Sequence, residues 1–175
     1  MMNRWGGVLA SAVLVAGCAA WRAPVIPEAI RAPAGDRLAY TSYAKGVQVY
    51  RCVALKDDAA KGEWAFQGPE TELFSNAGMS RLIGRLTTGP TWEGIDGSKV
   101  SGAIKAATPA PAPESVRWLL FEVTSKSGSG LLGNISSVQR VDTAGGRPPP
   151  GNCSKNQLDA TIRVPYTATF HFYTR

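Results

Sequence analysis

Glu93 and Asp96 stand three residues apart in the segment Thr91-Trp92-Glu93-Gly94-Ile95-Asp96-Gly97, and paired carboxylates are the groups that acid–base hydrolysis uses. Asp96-Gly97 is also a pair suited to a two-residue type I′ hairpin turn. Such a turn pairs Ile95 with Ser98, Glu93 with Val100 and Trp92 with Ser101. Cross-strand partners share a face, so Glu93 is expected beside Ile95, Val100 and Ile104. Trp92 then lies on the other face with Lys99 and Ser101. A carboxylate on an apolar face holds its proton to higher pH, which suits a general acid, or else takes a cation such as Arg140 as partner. A register slip of one residue puts Glu93 in water instead. Trp92, Glu93, Asp96 and Arg140 are therefore the candidate binding or catalytic residues. Asp96 taken alone is ordinary turn chemistry.

Other constellations carry less. Gly128-Ser129-Gly130-Leu131-Leu132-Gly133 has GxGxxG spacing, but a dinucleotide site needs a helix N-terminus behind the glycines. The next residues, Asn134-Ile135-Ser136-Ser137-Val138, are strand-like, so the run reads as a glycine-rich hairpin. His171, the one histidine of the chain, falls on a polar strand face with Thr167, Thr169 and Tyr173. It reads as a surface residue, although a base there is conceivable. No cluster has metal-ligand spacing and no GxSxG elbow is present; neither a metal nor a cofactor is expected.

The three cysteines divide into one and two. Val15-Ala16-Gly17-Cys18 resembles the lipobox of bacterial lipoproteins. Arg4 supplies the positive charge before it, and residues 8–16 form an apolar run too short to span a bilayer. The resemblance implies a signal peptide cleaved before Cys18, acylation of that cysteine with palmitate-type chains, and stable membrane anchoring. Ala19 in the next position implies outer-membrane sorting in a Gram-negative envelope, with the domain in the periplasm. Cys52 and Cys153 are then an even pair in an oxidising compartment and are expected to form a disulfide. Closing so long a loop contributes on the order of 4–5 kcal/mol. The formal net charge is +6, from 19 basic and 13 acidic residues, scattered without a run of three. That scatter, together with export, argues against a nucleic-acid partner.

Strands must position these residues. Residues 19–38 are rich in Ala and Pro (Pro24, Pro27, Pro33) and read as a tether able to reach roughly 60 Å at about 3.1 Å per residue. The chain thus divides into a signal at 1–17, the lipidated Cys18 and tether through 38, and a β domain over 39–175. Strand signals run through 46–55, 63–66, 70–74, the hairpin at 91–106, 116–124 and 135–141. Residues 75–86 are ambiguous, with room for a helical turn. Residues 108–114 are a proline-rich connection and 145–153 a loop pinned by the disulfide. The segment 116–124 is apolar on both faces, as a central strand is. In the last strand Ile162, Val164, Tyr166, Ala168, Phe170 and Phe172 alternate with polar residues, and Pro165 points to an edge or early position. The fold class is all-β: a single antiparallel β-sandwich or barrel of about eight strands with little helix.

Several of these segments together resemble domain-of-unknown-function family 3455, small exported proteins of bacteria and fungi. The matching pieces are residues 46–52 (GVQVYRC), 89–93 (GPTWE) with 96–98 (DGS), 118–120 (WLL), 138–141 (VQRV), 143–146 (TAGG) and 164–168 (VPYTA). They cover about residues 39–173 in order. The resemblance implies no established activity. It also implies a His and a Tyr just before Gly89-Pro90-Thr91-Trp92-Glu93, where this chain has Leu86 and Thr87, so any chemistry carried by that His is absent here.

These readings lead to an envelope lipoprotein whose β domain binds a small molecule or an envelope protein without catalysis. The alternative is a hydrolase or isomerase using Glu93 as general acid or base, with Arg140 and Asp96 nearby.

Overall fold

The alternation in the last strand has its counterpart along the whole chain, and it closes the sheet. The computed structural model describes residues 25–58 and 61–175; the expected signal peptide at 1–17 and the expected lipidation site at Cys18 lie outside them. One antiparallel sheet contains β1 (Arg37–Ala54), β2 (Lys61–Phe74), β3 (Leu82–Thr87), β4 (Thr91–Gly94), β5 (Lys99–Thr108), β6 (Trp118–Ser127), β7 (Ile135–Gly145), β8 (Cys153–Ser154) and β9 (Thr161–Thr174). The order β1-β9-β7-β6-β5-β4-β3-β2 returns to β1 through the β1–β2 pairing, and β8 adds two residues beside β2. With the two-residue β8 set aside, each strand neighbours the next in sequence, so this is an up-and-down barrel. Closure removes the exposed edges that an open sheet would present.

The inward faces are set by register. Tyr40, Ser42, Ala44, Gly46, Gln48 and Tyr50 of β1 face Phe172, Phe170, Ala168, Tyr166, Val164 and Ile162 of β9. Trp92 pairs with Leu86 and Val100, and Phe121 pairs with Val138. These side chains fill the barrel with aromatic and branched residues. Trp92 lies edge-on to Phe121, Phe170 and Phe172, with ring centroids 5.0, 6.0 and 6.4 Å away.

β6 is apolar on both faces because both are covered. Leu119 and Phe121 face the interior, while Trp118 and Leu120 pack outside against Ile30, Val141 and Ile26. The stretch read as a tether therefore contributes a docked segment. Ile30 is fully buried, its carbonyl accepts from Gln139 Nε2 at 2.6 Å, and β1 begins at Arg37.

Several sequence expectations change. The two short strands at 63–66 and 70–74 are one strand, β2, with a bulge opposite Val49–Tyr50. The ambiguous segment 75–86 becomes a loop followed by β3. β9 is no edge strand, since it lies between β1 and β7. Pro165 is accommodated because the β7 ladder ends one residue away, at Gly145–Tyr166. The disulfide between Cys52 and Cys153 is present.

The hairpin correction matters most for function. The loop between β4 and β5 holds three residues, Ile95-Asp96-Gly97, not two. Gly94 N–H donates to Ser98 O at 2.8 Å, and Gly97 N–H to Gly94 O at 3.0 Å. Gly97 takes φ +82°, the left-handed residue that a three-residue hairpin loop requires. The pairing shifts by one: Glu93 faces Lys99 and Trp92 faces Val100. Because strand side chains alternate, one residue of slip exchanges the two faces. Trp92 is inside and Glu93 outside.

Candidate functional site

The two ends of the barrel differ. At one end the interior is stoppered by Leu132, which is buried, and by Tyr40 stacked on Phe172 at 4.6 Å. Asp96 latches the β4–β5 loop to the β6–β7 loop there. Its carboxylate accepts from Leu131 N–H at 2.6 Å, Ser98 Oγ at 2.6 Å and Ser98 N–H at 3.0 Å. Gly130 lies so close that a Cβ would collide with this carboxylate. The GxGxxG run is thus explained as the partner of a loop latch, in line with its reading as a glycine-rich hairpin.

These three donors, the Leu131 N–H foremost, hold the Asp96 pKa down to about 2. A carboxylate whose pKa is lower folded than unfolded stabilises the fold above its unfolded value and loses that contribution as pH falls. Unfolding followed in denaturant from about pH 5 to pH 2 is expected to show an acid loss of stability that Asp96→Asn reduces. Identical acid profiles for the two proteins would show that the latch does not respond to protonation.

The other end is open. The β3–β4 loop, the proline-rich β5–β6 loop and the residues after β7 surround a pocket of about 770 Å³. Its apolar wall includes Phe66, Pro69, Ile104 and Pro109–Pro113. Phe66 and Ile104 are 53% and 55% exposed, as few large apolar residues here are. The floor is polar. Gln48, buried on the inward face of β1, lines it; Thr71 Oγ1 and Tyr166 Oη, hydrogen-bonded at 2.6 Å, are buried and lie outside the lining. Tyr50 Oη donates to Gly146 O at 2.7 Å, tying β1 to the rim. Burial raises the pKa of both tyrosines, so they are neutral at physiological pH.

Arg140 is the charged residue of this floor. In β7, Val138 and Arg140 point inward and Val141 outward, and Arg140 pairs with Leu119 and Phe170. The residue is 8% exposed. Its Nε and Nη2 donate to the Arg117 carbonyl at 3.3 and 2.9 Å, which ties β7 to the start of β6. Burial lowers its pKa, and the nearby Arg117 charge adds to this. Among the described residues no carboxylate pairs with it, and Asp and Glu are absent from the pocket lining.

The four candidate residues are therefore dispersed, and only Arg140 lies in the pocket. Trp92 fills the interior. Glu93 is on the outer surface, its side chain about half exposed and 3.5 Å from Lys99 Nζ; it is neither on an apolar face nor beside Arg140. Asp96 belongs to the closed end. Leu86, where the resemblance would place a histidine, is buried and lines the pocket. His171 is half-buried on the outer wall with Nδ1 2.8 Å from Thr41 Oγ1, and burial lowers its pKa.

Gln48, Tyr50 and Phe66 were not singled out from sequence. A usable signal was present for Gln48: a long polar side chain at inward parity between Ala44 and Tyr50. No curated protein and no solved structure matches the chain. A family model described as "Protein of unknown function (DUF3455)" matches residues 33–174, and the chain belongs to that family.

Proposed function

We propose that this chain is an exported lipoprotein, anchored through Cys18, whose barrel binds a small organic molecule at its open mouth without transforming it. The observation that carries the reading is the pocket of about 770 Å³, a volume suited to a drug-sized ligand. An eight-stranded barrel has an interior that side chains fill or that holds one small ligand. Here the side-chain filling gives way to the pocket above the layer of Trp92 and Phe170. Among the described residues, the lining offers neither His, Cys, Asp nor Glu, so no general base stands beside its hydroxyls. Glu93, the residue on which hydrolysis or isomerisation would turn, is outside the pocket and open to water.

Native mass spectrometry of the chain purified from an oxidising compartment, before and after denaturation, tests the reading. A bound organic molecule released on denaturation is the expected result. A molecule recovered in chemically altered form, or a barrel isolated empty and joined to an envelope protein, would overturn it. Phe66 gives a finer check, with its ring 5.5 Å from that of Tyr50 at the rim. Phe66→Ala is expected to weaken binding of the neutral apolar dye Nile red about 3- to 10-fold. Being half exposed, it should change the unfolding free energy by less than about 1 kcal/mol. Unchanged dye affinity would place the ligand elsewhere.

A further inference from the structure

Resting on that reading, we propose that the ligand is an amphipathic monocarboxylate whose carboxylate sits on Arg140 and Gln48 at the floor of the pocket. Three observations lead there. Arg140 is buried, and its Nε and Nη2 are occupied by the Arg117 carbonyl, while Nη1 donates to no described residue. Gln48 Nε2 is also buried; the Tyr166 hydroxyl lies close enough to feel it but is already bonded to Thr71 Oγ1, and no acceptor meets Nε2 in hydrogen-bond geometry. The lining carries Arg117, Arg140 and Arg147 with no acidic residue to neutralise them.

Burying a guanidinium without a counter-charge, and an amide N–H₂ without an acceptor, is unfavourable. The two bonds to the Arg117 carbonyl hold the guanidinium in place but leave its charge and the Gln48 amide uncompensated, and an anionic ligand would satisfy both. The remaining donors suit a planar group with one charge and two oxygens, and guanidinium–carboxylate geometry is favourable. A phosphate would leave further charged oxygens against Leu86, Leu119 and the proline-rich loop. The same walls, with Phe66 and Ile104 above them, fit an apolar body.

The test is displacement of Nile red from the full chain by decanoate and by its uncharged counterpart methyl decanoate. Decanoate is expected to displace the dye at about 10- to 100-fold lower concentration than the ester, the range of a charge-assisted hydrogen bond. Arg140→Met should abolish that preference while the dye still binds. Its thermal midpoint should stay close to the parent's, since removing a buried cation without a counter-charge offsets the loss of two bonds to the Arg117 carbonyl. Should this variant fail to fold, Gln48→Met carries the test, with affinity for decanoate lowered and that for the ester unchanged. Equal displacement by the acid and the ester, or a preference that survives in the folded Arg140→Met protein, overturns the carboxylate assignment and leaves the pocket as a binding site. A full chain that binds neither the dye nor either displacer overturns the binding reading itself.

Discussion

Trp92→Ala is expected to lower the unfolding free energy by about 3–5 kcal/mol, the range for removing a large aromatic side chain from a packed interior. Small domains hold only about 5–15 kcal/mol in all, so much of the variant should be unfolded under mild denaturant. The reason is positional. Trp92 is fully buried and touches aromatic rings from β6 and β9, so its loss opens a cavity shared by opposite walls of the barrel. Its Nε1 has no acceptor, so the contribution is packing. Trp92→Phe should accordingly recover most of the stability. The adjacent Glu93→Gln, exposed and paired only with Lys99, should change stability by less than about 0.5 kcal/mol. Urea unfolding of the three variants checks the contrast. A Glu93→Gln protein less stable than Trp92→Ala would mean that the hairpin register is the other one.

Replacing both Cys52 and Cys153 by Ala is expected to lower stability by about 2–5 kcal/mol. The bond links positions separated by 101 residues, and its loss frees the unfolded chain to explore far more conformations. The native state has little to compensate. β8 pairs with β2 at two positions only, Lys61–Ser154 and Gly62–Cys153. The rest of the β7–β9 connection is fastened to β1 by two backbone bonds at Cys52, the Tyr50 Oη–Gly146 O bond and the exposed Arg51–Asp159 ion pair. Exposed pairs of that kind contribute little. Arg147 and Pro148 at the pocket rim belong to this same connection, so the variant should also bind Nile red less tightly. Guanidinium unfolding of the parent with and without reductant gives the measurement. Coincident curves would show that the bridge leaves the unfolded state unconstrained.

Much of this architecture was legible in the chain. Period-two alternation in 162–173 identified both the strand and its inward face. The doubly apolar run at 116–124 marked a strand covered on both sides, and cysteine counting gave the disulfide. These features are local, or depend on compartment and parity, and a sequence carries them directly. The resemblance in segments 46–52, 89–98 and 164–168 likewise led to the family.

Ring closure, hairpin register and the pocket were decided by the tertiary structure. Closure depends on β1 meeting β2 and β9 at once, and no local pattern encodes which distant strands pair. The register at 94–98 turned on whether Asp96-Gly97 forms a two- or a three-residue loop. The two differ by a few hydrogen bonds in the turn, and the deciding energy comes from Trp92 entering an aromatic interior built by distant strands. The pocket likewise gathers Gln48, Phe66, Ile104, Pro109–Pro113 and Arg140 from five separate stretches of chain. Each is an ordinary residue in its own strand or loop. Arg140 becomes a candidate anchor only because the barrel buries it at an open mouth with no carboxylate beside it.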